Sequence, residues 1–418
     1  MHVVMLNQPF FPDVVATAQM GKDLADALTA RGHRVTAVAS RSIYGQTGAT
    51  LPARQTVADP AGPGVLHIHR VGSNIFGKRG VAARLFDFGL YYALAGWKVL
   101  TLRPRPDVVI SFTTPPYVAL LGVAARWLRG ARSVYWVMDL YPDVGVAGGV
   151  FRAGSPLTGV LEALGRFVIG RSDAVVALGR CMAERIGAKG CRTDHLRVIT
   201  VWDATGVPPP PAGARTEGSE RLRRAWGASP SDLVVMYSGN MGLAHDAATI
   251  CQAMGLLSDR ADIRFVFVGG GKRRAAVERA IAAAGLTNAA YHEYVPRERL
   301  ADSLGAADVH LVSIDPAYAG LVVPSKLYSV LAAGRPVVYV GPAGTEIGLT
   351  IAEHGCGRAV ANGDAAGLAR ALAELADDRA AADALGRAAA ACVPGRYDRA
   401  SCLGRWVELV EGIGAPRR

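Results

Sequence analysis

The feature that most constrains this chain is an alternation of short apolar runs and helical stretches, carried through once, interrupted, and carried through again. Residues 3–6 are a continuous apolar run. Met20, Leu24 and Leu28 then recur at helical spacing over 17–31, Gly32 stops that helix, and 35–39 is a second run. Further runs lie at 108–112, 133–138, 174–178 and 198–201. Runs that stay apolar, rather than alternating, belong to strands buried on both faces, which predicts a parallel sheet covered by helices on each side. Residues 206–219 read Gly-Val-Pro-Pro-Pro-Pro-Ala-Gly-Ala-Arg-Thr-Glu-Gly-Ser, the composition of a linker. Beyond it the alternation resumes, with runs at 233–237, 264–268, 309–313 and 337–340 separated by Ala-rich helical stretches. The reading is two doubly wound, Rossmann-like α/β domains, 1–205 and 220–400, joined by 206–219. A last helix within 401–418 is expected to pack back on the first domain. Open parallel sheets bind ligands beyond the carboxyl ends of their strands, so two such sheets facing each other predict a site in the cleft between them.

A length of 418 residues fits two or three cores. The six cysteines, at 181, 191, 251, 356, 392 and 402, have no pair at the spacing of a zinc site or redox motif, and free cytoplasmic thiols are expected. Residues 1–7 lack a basic stretch followed by a long apolar one, which argues against a signal peptide. The most apolar stretch, 108–127, is broken by Pro115 and Pro116 and reads as strand, loop and helix rather than a membrane span. Charge is uneven. Residues 1–205 hold 23 Lys and Arg against 13 Asp and Glu, whereas 206–418 hold 23 against 22. A basic first half suits phosphates or an anionic membrane surface. Nucleic acid is not expected, because no recognition motif accompanies the charge.

Three turns carry chemistry. Ser238-Gly239-Asn240-Met241-Gly242 follows the first strand of the second domain, and His245-Asp246 come directly after. Glycines there let the backbone approach a phosphate. Val268-Gly269-Gly270-Gly271-Lys272 is a second instance, open to a purely structural reading as a tight strand-to-helix turn. The third is Gly320-Leu321-Val322-Val323-Pro324-Ser325-Lys326, where Pro324 suits a helix start and the Lys326 ammonium, with backbone N–H groups around Val322 and Val323, suits a diphosphate.

These residues resemble glycosyltransferase family 4, retaining enzymes of the GT-B fold. The resemblance is closest to the bacterial branch used in exopolysaccharide, colanic acid and O-antigen assembly. It rests on 237–246, 268–272, Ala306-Ala307-Asp308, 323–327 and 331–336 in the second half. In the first half it rests on 7–12, 30–34, Asp139-Leu140-Tyr141-Pro142-Asp143 and 177–182. It implies transfer of a sugar from a UDP- or GDP-type donor to an acceptor hydroxyl, without a separate cofactor, metal or protein nucleophile. Donor contacts are expected from Gly239, Asn240, Gly270, Lys272, Val322, Val323, Lys326 and Glu346. His245, Asp139 and Asp143 are expected in catalysis, and Arg180 on the acceptor. The expected acceptor is a lipid-linked saccharide, met by a cytoplasmic protein lying on the inner membrane face. A small-molecule acceptor and a sugar-nucleotide binder without transfer activity are the alternatives. Residues 78–105 are the expected membrane element: Phe86, Phe88, Tyr91, Tyr92 and Trp97 are flanked by Lys78, Arg79, Arg84, Lys98, Arg103 and Arg105. The same stretch also reads as a core helix.

The chain departs from the family pattern at several positions. The usual Arg and Lys on the donor diphosphate fall at Asn240 and His245. The usual pair of glutamates falls at Leu321 and Ser329, and the usual paired glycines of the first helix fall at Val15-Ala16.

Overall fold

The computed structural model describes residues 1–13, 15–43, 50–58, 63–72, 81–206 and 214–415. The chain forms two compact units, Met1–Thr200 with Leu403–Arg418, and Val201–Cys402. The division falls just before the proline run, of which 207–213 lies outside the described residues.

The first unit runs β1 (His2–Leu6), α1 (Ala16–Ala30), β2 (Arg34–Ala39), β3 (Arg54–Ala58), β4 (Val65–Arg70), α2 (Val81–Thr101), β5 (Val108–Ser111), α3 (Ala119–Arg129), β6 (Arg132–Val137), α4 (Asp143–Ala147), α5 (Pro156–Arg171), β7 (Ala174–Ala177), α6 (Arg180–Ala188) and β8 (Leu196–Val198). Its eight strands are ordered β3-β4-β2-β1-β5-β6-β7-β8. All pairs are parallel except β3 with β4. The central strands are buried along their whole length, as their unbroken apolar runs require. α1 seats Met20, Leu24 and Leu28 in the core.

α2 answers the two readings of its segment residue by residue. Tyr91, Ala95 and Val99 pack with Val4, Leu6 and Val38, and the Tyr91 hydroxyl donates to the Val38 carbonyl at 2.8 Å. Phe86 and Trp97, on the same helix, are exposed. Lys78, Arg79 and the side chain of Arg84 lie outside the described residues. Among the described residues no helix is long and apolar enough to cross a membrane.

The second unit runs α7 (Glu217–Ala225), β9 (Leu233–Ser238), α8 (Ala248–Leu256), β10 (Ile263–Val268), α9 (Arg274–Ala283), β11 (Ala289–His292), α10 (Leu300–Gly305), β12 (Val309–Ser313), α11 (Lys326–Ala332), β13 (Val337–Val340), α12 (Glu346–His354), β14 (Gly357–Val360), α13 (Ala365–Asp377), α14 (Arg379–Ala391) and α15 (Arg399–Gly414). Its sheet, β11-β10-β9-β12-β13-β14, is wholly parallel. Helix starts are set by side chains: the hydroxyls of Thr216 and Thr345 accept from Ser219 and Gly348 N–H and cap α7 and α12. The distal part of α15 belongs to the first unit, where Trp406 is fully buried with its ring centroid 4.4 Å from that of Trp136.

At the end of this sheet where the strands begin, Asp308 precedes β12. Its carboxylate accepts from the Val234 N–H at 2.7 Å and from Arg223 Nη1 at 2.9 Å, and it pairs with Arg215. Arg223, 1 % exposed, also donates to the carbonyls of Ala306 and Asp232, each at 2.9 Å. Burial alone would raise the Asp308 carboxyl, but Arg223 and Arg215 hold it below its usual value.

Candidate functional site

Strand order in the second sheet reverses between β9 and β12, with β10 and β11 on one side and β13 and β14 on the other. β9 and β12 pair through Val235 with Val309 and Met236 with His310. The crevice beyond such a reversal is where doubly wound sheets take ligands. Three elements bring residues there: the end of β9 with Gly239, the end of β12 with Ser313, and Lys326, which opens α11.

Lys326 Nζ sits 3.7 Å from the centroid of the Tyr237 ring. It is buried and has no hydrogen-bond partner, and the same holds for Tyr237 Oη and Ser313 Oγ. The stem of Lys326 runs along Gly239, where a Cβ would stand 3.7 Å from its Cε and 3.8 Å from Nζ. Gly239 has φ +106°, which side-chain-bearing residues rarely adopt. Burial pushes the ammonium well below its usual pKa. The Tyr237 ring face offsets about 2 kcal/mol of that desolvation, short of what a buried cation needs.

His245 Nδ1 donates to the Ser313 carbonyl at 2.6 Å, which fixes the neutral tautomer and leaves Nε2 as the acceptor. Burial, then the Lys326 charge, pushes the imidazole down to about 3. Asp246 caps α8 by accepting from the Thr249 N–H at 3.0 Å, and Asn362 holds its other oxygen at 2.9 Å.

The triple glycine at 269–271 has a packing cause. A Cβ on Gly269 would lie 2.4 Å from the Gly239 carbonyl oxygen, and one on Gly271 would lie 2.4 Å from that of Met241. The two loops are joined by Gly239 N–H to Val268 O at 2.8 Å and Met241 N–H to Gly270 O at 2.7 Å. Lys272 is exposed, while its neighbour Arg273 is half-buried with Nε buried and unpartnered. Asn240 is exposed, Val322 is half-buried and Val323 is buried in the turn before α11. Glu346 opens α12, 3 % exposed, as an electrostatic neighbour of Tyr397.

The two positions where the family pattern has glutamates are occupied structurally. Leu321 is 2 % exposed, and Ser329 Oγ accepts from the Ala204 N–H at 3.0 Å.

In the first unit, Asp139 lies two residues past β6, at the carboxyl end of the sheet. Burial pushes its carboxyl up to about 6. Asp143, by contrast, is engaged by Lys189 at 2.6 Å and Arg185 at 3.3 Å, and Lys189 also binds Glu162 at 2.7 Å. That network ties α4, α5 and α6 together, so Asp143 has the surroundings of a structural carboxylate rather than of the catalytic one expected. Arg180 opens α6 and is half-buried. The sequence singled out Lys326 but not Tyr237, Ser313 or Arg273, each of which also carries a buried, unpartnered polar atom. Tyr237 lay inside the 237–246 stretch, whereas Ser313 had no signal beyond closing an apolar run.

A family model described as Glycosyl transferase 4-like domain matches residues 17–202, and one described as Glycosyl transferases group 1 matches 232–378. WbjE of Pseudomonas aeruginosa, a probable glycosyltransferase by name, is 28% identical over 284 residues, 67% of this chain and 68% of its own. WcaI of Escherichia coli K12, a putative colanic acid biosynthesis glycosyl transferase by name, is 23% identical over 355 residues, 83% and 85% of the two chains. Among solved structures, sucrose-phosphate synthase of Thermosynechococcus elongatus superposes with a TM-score of 0.78 at 15% identity, covering 99% of both chains. HepE of Anabaena, solved in complex with UDP, gives 0.69 at 14% identity over 99% of this chain and 100% of its own. Together the two matched domains and the doubly wound sheets show that this chain is an enzyme belonging to glycosyltransferase family 4, with the GT-B architecture.

Proposed function

We propose that the chain transfers a sugar from a UDP- or GDP-type donor to an acceptor hydroxyl, with retention and without a metal, in the assembly of a cell-surface polysaccharide on a lipid-linked acceptor. The observation that carries the donor site is the Lys326 ammonium, buried and unpartnered over Tyr237 at the strand-order reversal. A diphosphate supplies the counter-charge it lacks. The acceptor oxygen bonds to the sugar's anomeric carbon as the bond to the diphosphate oxygen breaks, and the acceptor proton passes to the departing phosphate. Lys326 and the Gly239 loop stabilise the charge on that group, which grows as the bond breaks. Neutral His245 orients through Nε2 a hydroxyl of the donor. In the first unit Asp139, with a carboxyl poised near 6, is the group suited to hold the acceptor hydroxyl. HepE complexes with UDP and UDP-glucose and WcaI's colanic acid name support the reading of donor and pathway class.

Calorimetry with UDP and GDP tests the site. Lys326→Ala should weaken binding about ten- to a hundredfold, the worth of one charge-assisted contact. Unchanged affinity in a folded variant removes Lys326 from the site. The roles of Leu321 and Ser329 favour one second reading, a nucleotide-sugar binder without transfer. Release of nucleoside diphosphate from a donor panel, with and without acceptors and EDTA, separates the two readings and tests metal independence. The membrane reading rests on the basic first half and on exposed Phe86 and Trp97. It requires sedimentation with anionic vesicles at low salt and release at high salt.

A further inference from the structure

Among the described residues, α2 covers β1 and β2 and leaves the edge strands β3 and β4 open on the same face of the first sheet. The register sets Thr36 beside His67, His67 opposite Thr56, and His69 opposite Arg54. Arg34 opens β2 at the edge of this patch, and Leu102 and Arg103, just past the end of α2, supply the opposite wall. These groups line a cavity of about 270 Å³. That is room for a phosphate and several waters.

The cavity wall is basic. Arg34 Nη2 donates to His67 Nε2 at 3.3 Å, and His67 Nδ1 donates to Thr56 Oγ1 at 3.2 Å. Among the described residues, Arg34, Arg54, Lys98 and Arg103 form no ion pair. Close by, the Asp107 carboxylate accepts the His2 main-chain N–H at 2.7 Å, and the His2 ring is bound to the Pro104 carbonyl and Thr36 hydroxyl, both at 2.9 Å. The groups feel one another: burial first, then Lys98 and Arg54, then His67 and His2 push His69 down to about 4. Burial and Arg54 likewise lower Lys98. Three arginines and two histidines around one hollow, with Lys98 near enough to act on His69, repel each other unless an anion enters.

We infer that this cavity on the β3–β4 edge is a second anion site, which takes a phosphate through Arg34, Arg54 and Arg103. It lies in the first unit, on the side that carries α2, toward the end where β2 begins. The parallel strands of that sheet therefore point away from it, and it is separate from the donor crevice of the second unit. A planar guanidinium pair from Arg34 and Arg54 suits two phosphate oxygens, with Lys98 as a point charge behind. The phosphate could belong to a lipid headgroup or to a soluble phosphate.

The test uses the full chain with ring-labelled histidine and saturating UDP, so that any phosphate site in the second unit is filled. Inorganic phosphate is titrated against potassium chloride of matched ionic strength. His67 and His69 ring signals, assigned with His67→Gln and His69→Gln, should shift and saturate with phosphate only. In Arg34→Gln/Arg54→Gln, whose replaced side chains are exposed, phosphate affinity should fall at least about tenfold with the melting curve unchanged. A parallel arm measures sedimentation with phosphatidylcholine vesicles with and without phosphatidic acid. Loss of the acid-dependent sedimentation in the double variant assigns the site to a headgroup. Sedimentation equal to wild type, with phosphate binding lost, assigns it to a soluble phosphate. Shifts no larger than those from chloride, or a double variant that binds phosphate like wild type, overturn the inference.

Discussion

At the amino end of the second sheet, Asp308 accepts from Val234, Arg223 and Arg215, and Arg223 also donates to the carbonyls of Ala306, Asp232 and Ser229. At the carboxyl end of the same sheet, Lys326 stands over Tyr237 with no partner, beside an unpartnered Tyr237 hydroxyl and Ser313 hydroxyl. Both ends bury charge. One end pairs its charges within the chain, and the other leaves its cation unpaired. A closed network holds the fold, whereas an open one costs stability and is retained where a ligand completes it.

The sharpest way to break this contrast is at the closed end. Asp308→Asn leaves Arg223 and Arg215 without their anion. It should destabilise the protein by about 3–5 kcal/mol in urea unfolding, while the folded fraction keeps its nucleotide affinity. An effect under 1 kcal/mol would mean the arginines find other partners, and the contrast between the ends would fail.

Asp139 carries the comparison into the first unit. Because its carboxyl is raised to about 6, ionising it costs folding energy at neutral pH. Asp139→Asn should therefore stabilise by up to about 3 kcal/mol at pH 7. That gain should shrink as the pH falls from 6 toward 3.8, where the acid is protonated in both states. Transfer activity should drop at the same time, and the wild-type rate should lose its acid limb near pH 6 in the variant. A variant that is more stable and equally active would place Asp139 outside the chemistry.

At the open end, Lys326→Met removes a lone buried cation. The ligand-free variant should be at least as stable as wild type at pH 7, by on the order of 1 kcal/mol. The gain should fade as the pH climbs toward 10.5, where an unfolded lysine loses the same proton. A less stable variant in calorimetric melting would show that the lysine has a structural role after all. The smallest effect is expected at Ser329→Ala, about 1 kcal/mol, from the orphaned Ala204 N–H, with UDP affinity unchanged.

How much of this was legible follows from where each strand sits. β1, β5, β9 and β13 are buried on both faces and announce themselves as apolar runs, and β12 does so around a buried His310. β3 and β4, reading Arg-Gln-Thr-Val-Ala and Val-Leu-His-Ile-His-Arg, were missed. So were β11 and β14. These strands lie at or next to the sheet edges, where partial cover lets polar residues alternate in, and short alternating runs are hard to tell from loops. β8 is Leu196–Val198 rather than 198–201 for the same reason. Lys326 could be read from its Pro-Ser-Lys turn, but the aromatic face beneath it comes from a strand some ninety positions earlier in the chain. Asp143 looked like Asp139 because the cations that claim it, Arg185 and Lys189, arrive only with α6.

The hydrogen bond from Ala204 to Ser329 joins two places that the sequence keeps far apart. Ala204 lies four residues beyond Thr200, where the chain leaves the first unit, and Ser329 is one turn along the helix that Lys326 opens. Both residues belong to the second unit, so the bond fastens the first turn of that unit's chain to the helix that carries Lys326. A hydroxyl at 329 is short enough to stay with the main chain beside it. The position therefore serves as an anchor of the unit's opening segment, in place of the acidic side chain that the family pattern has there.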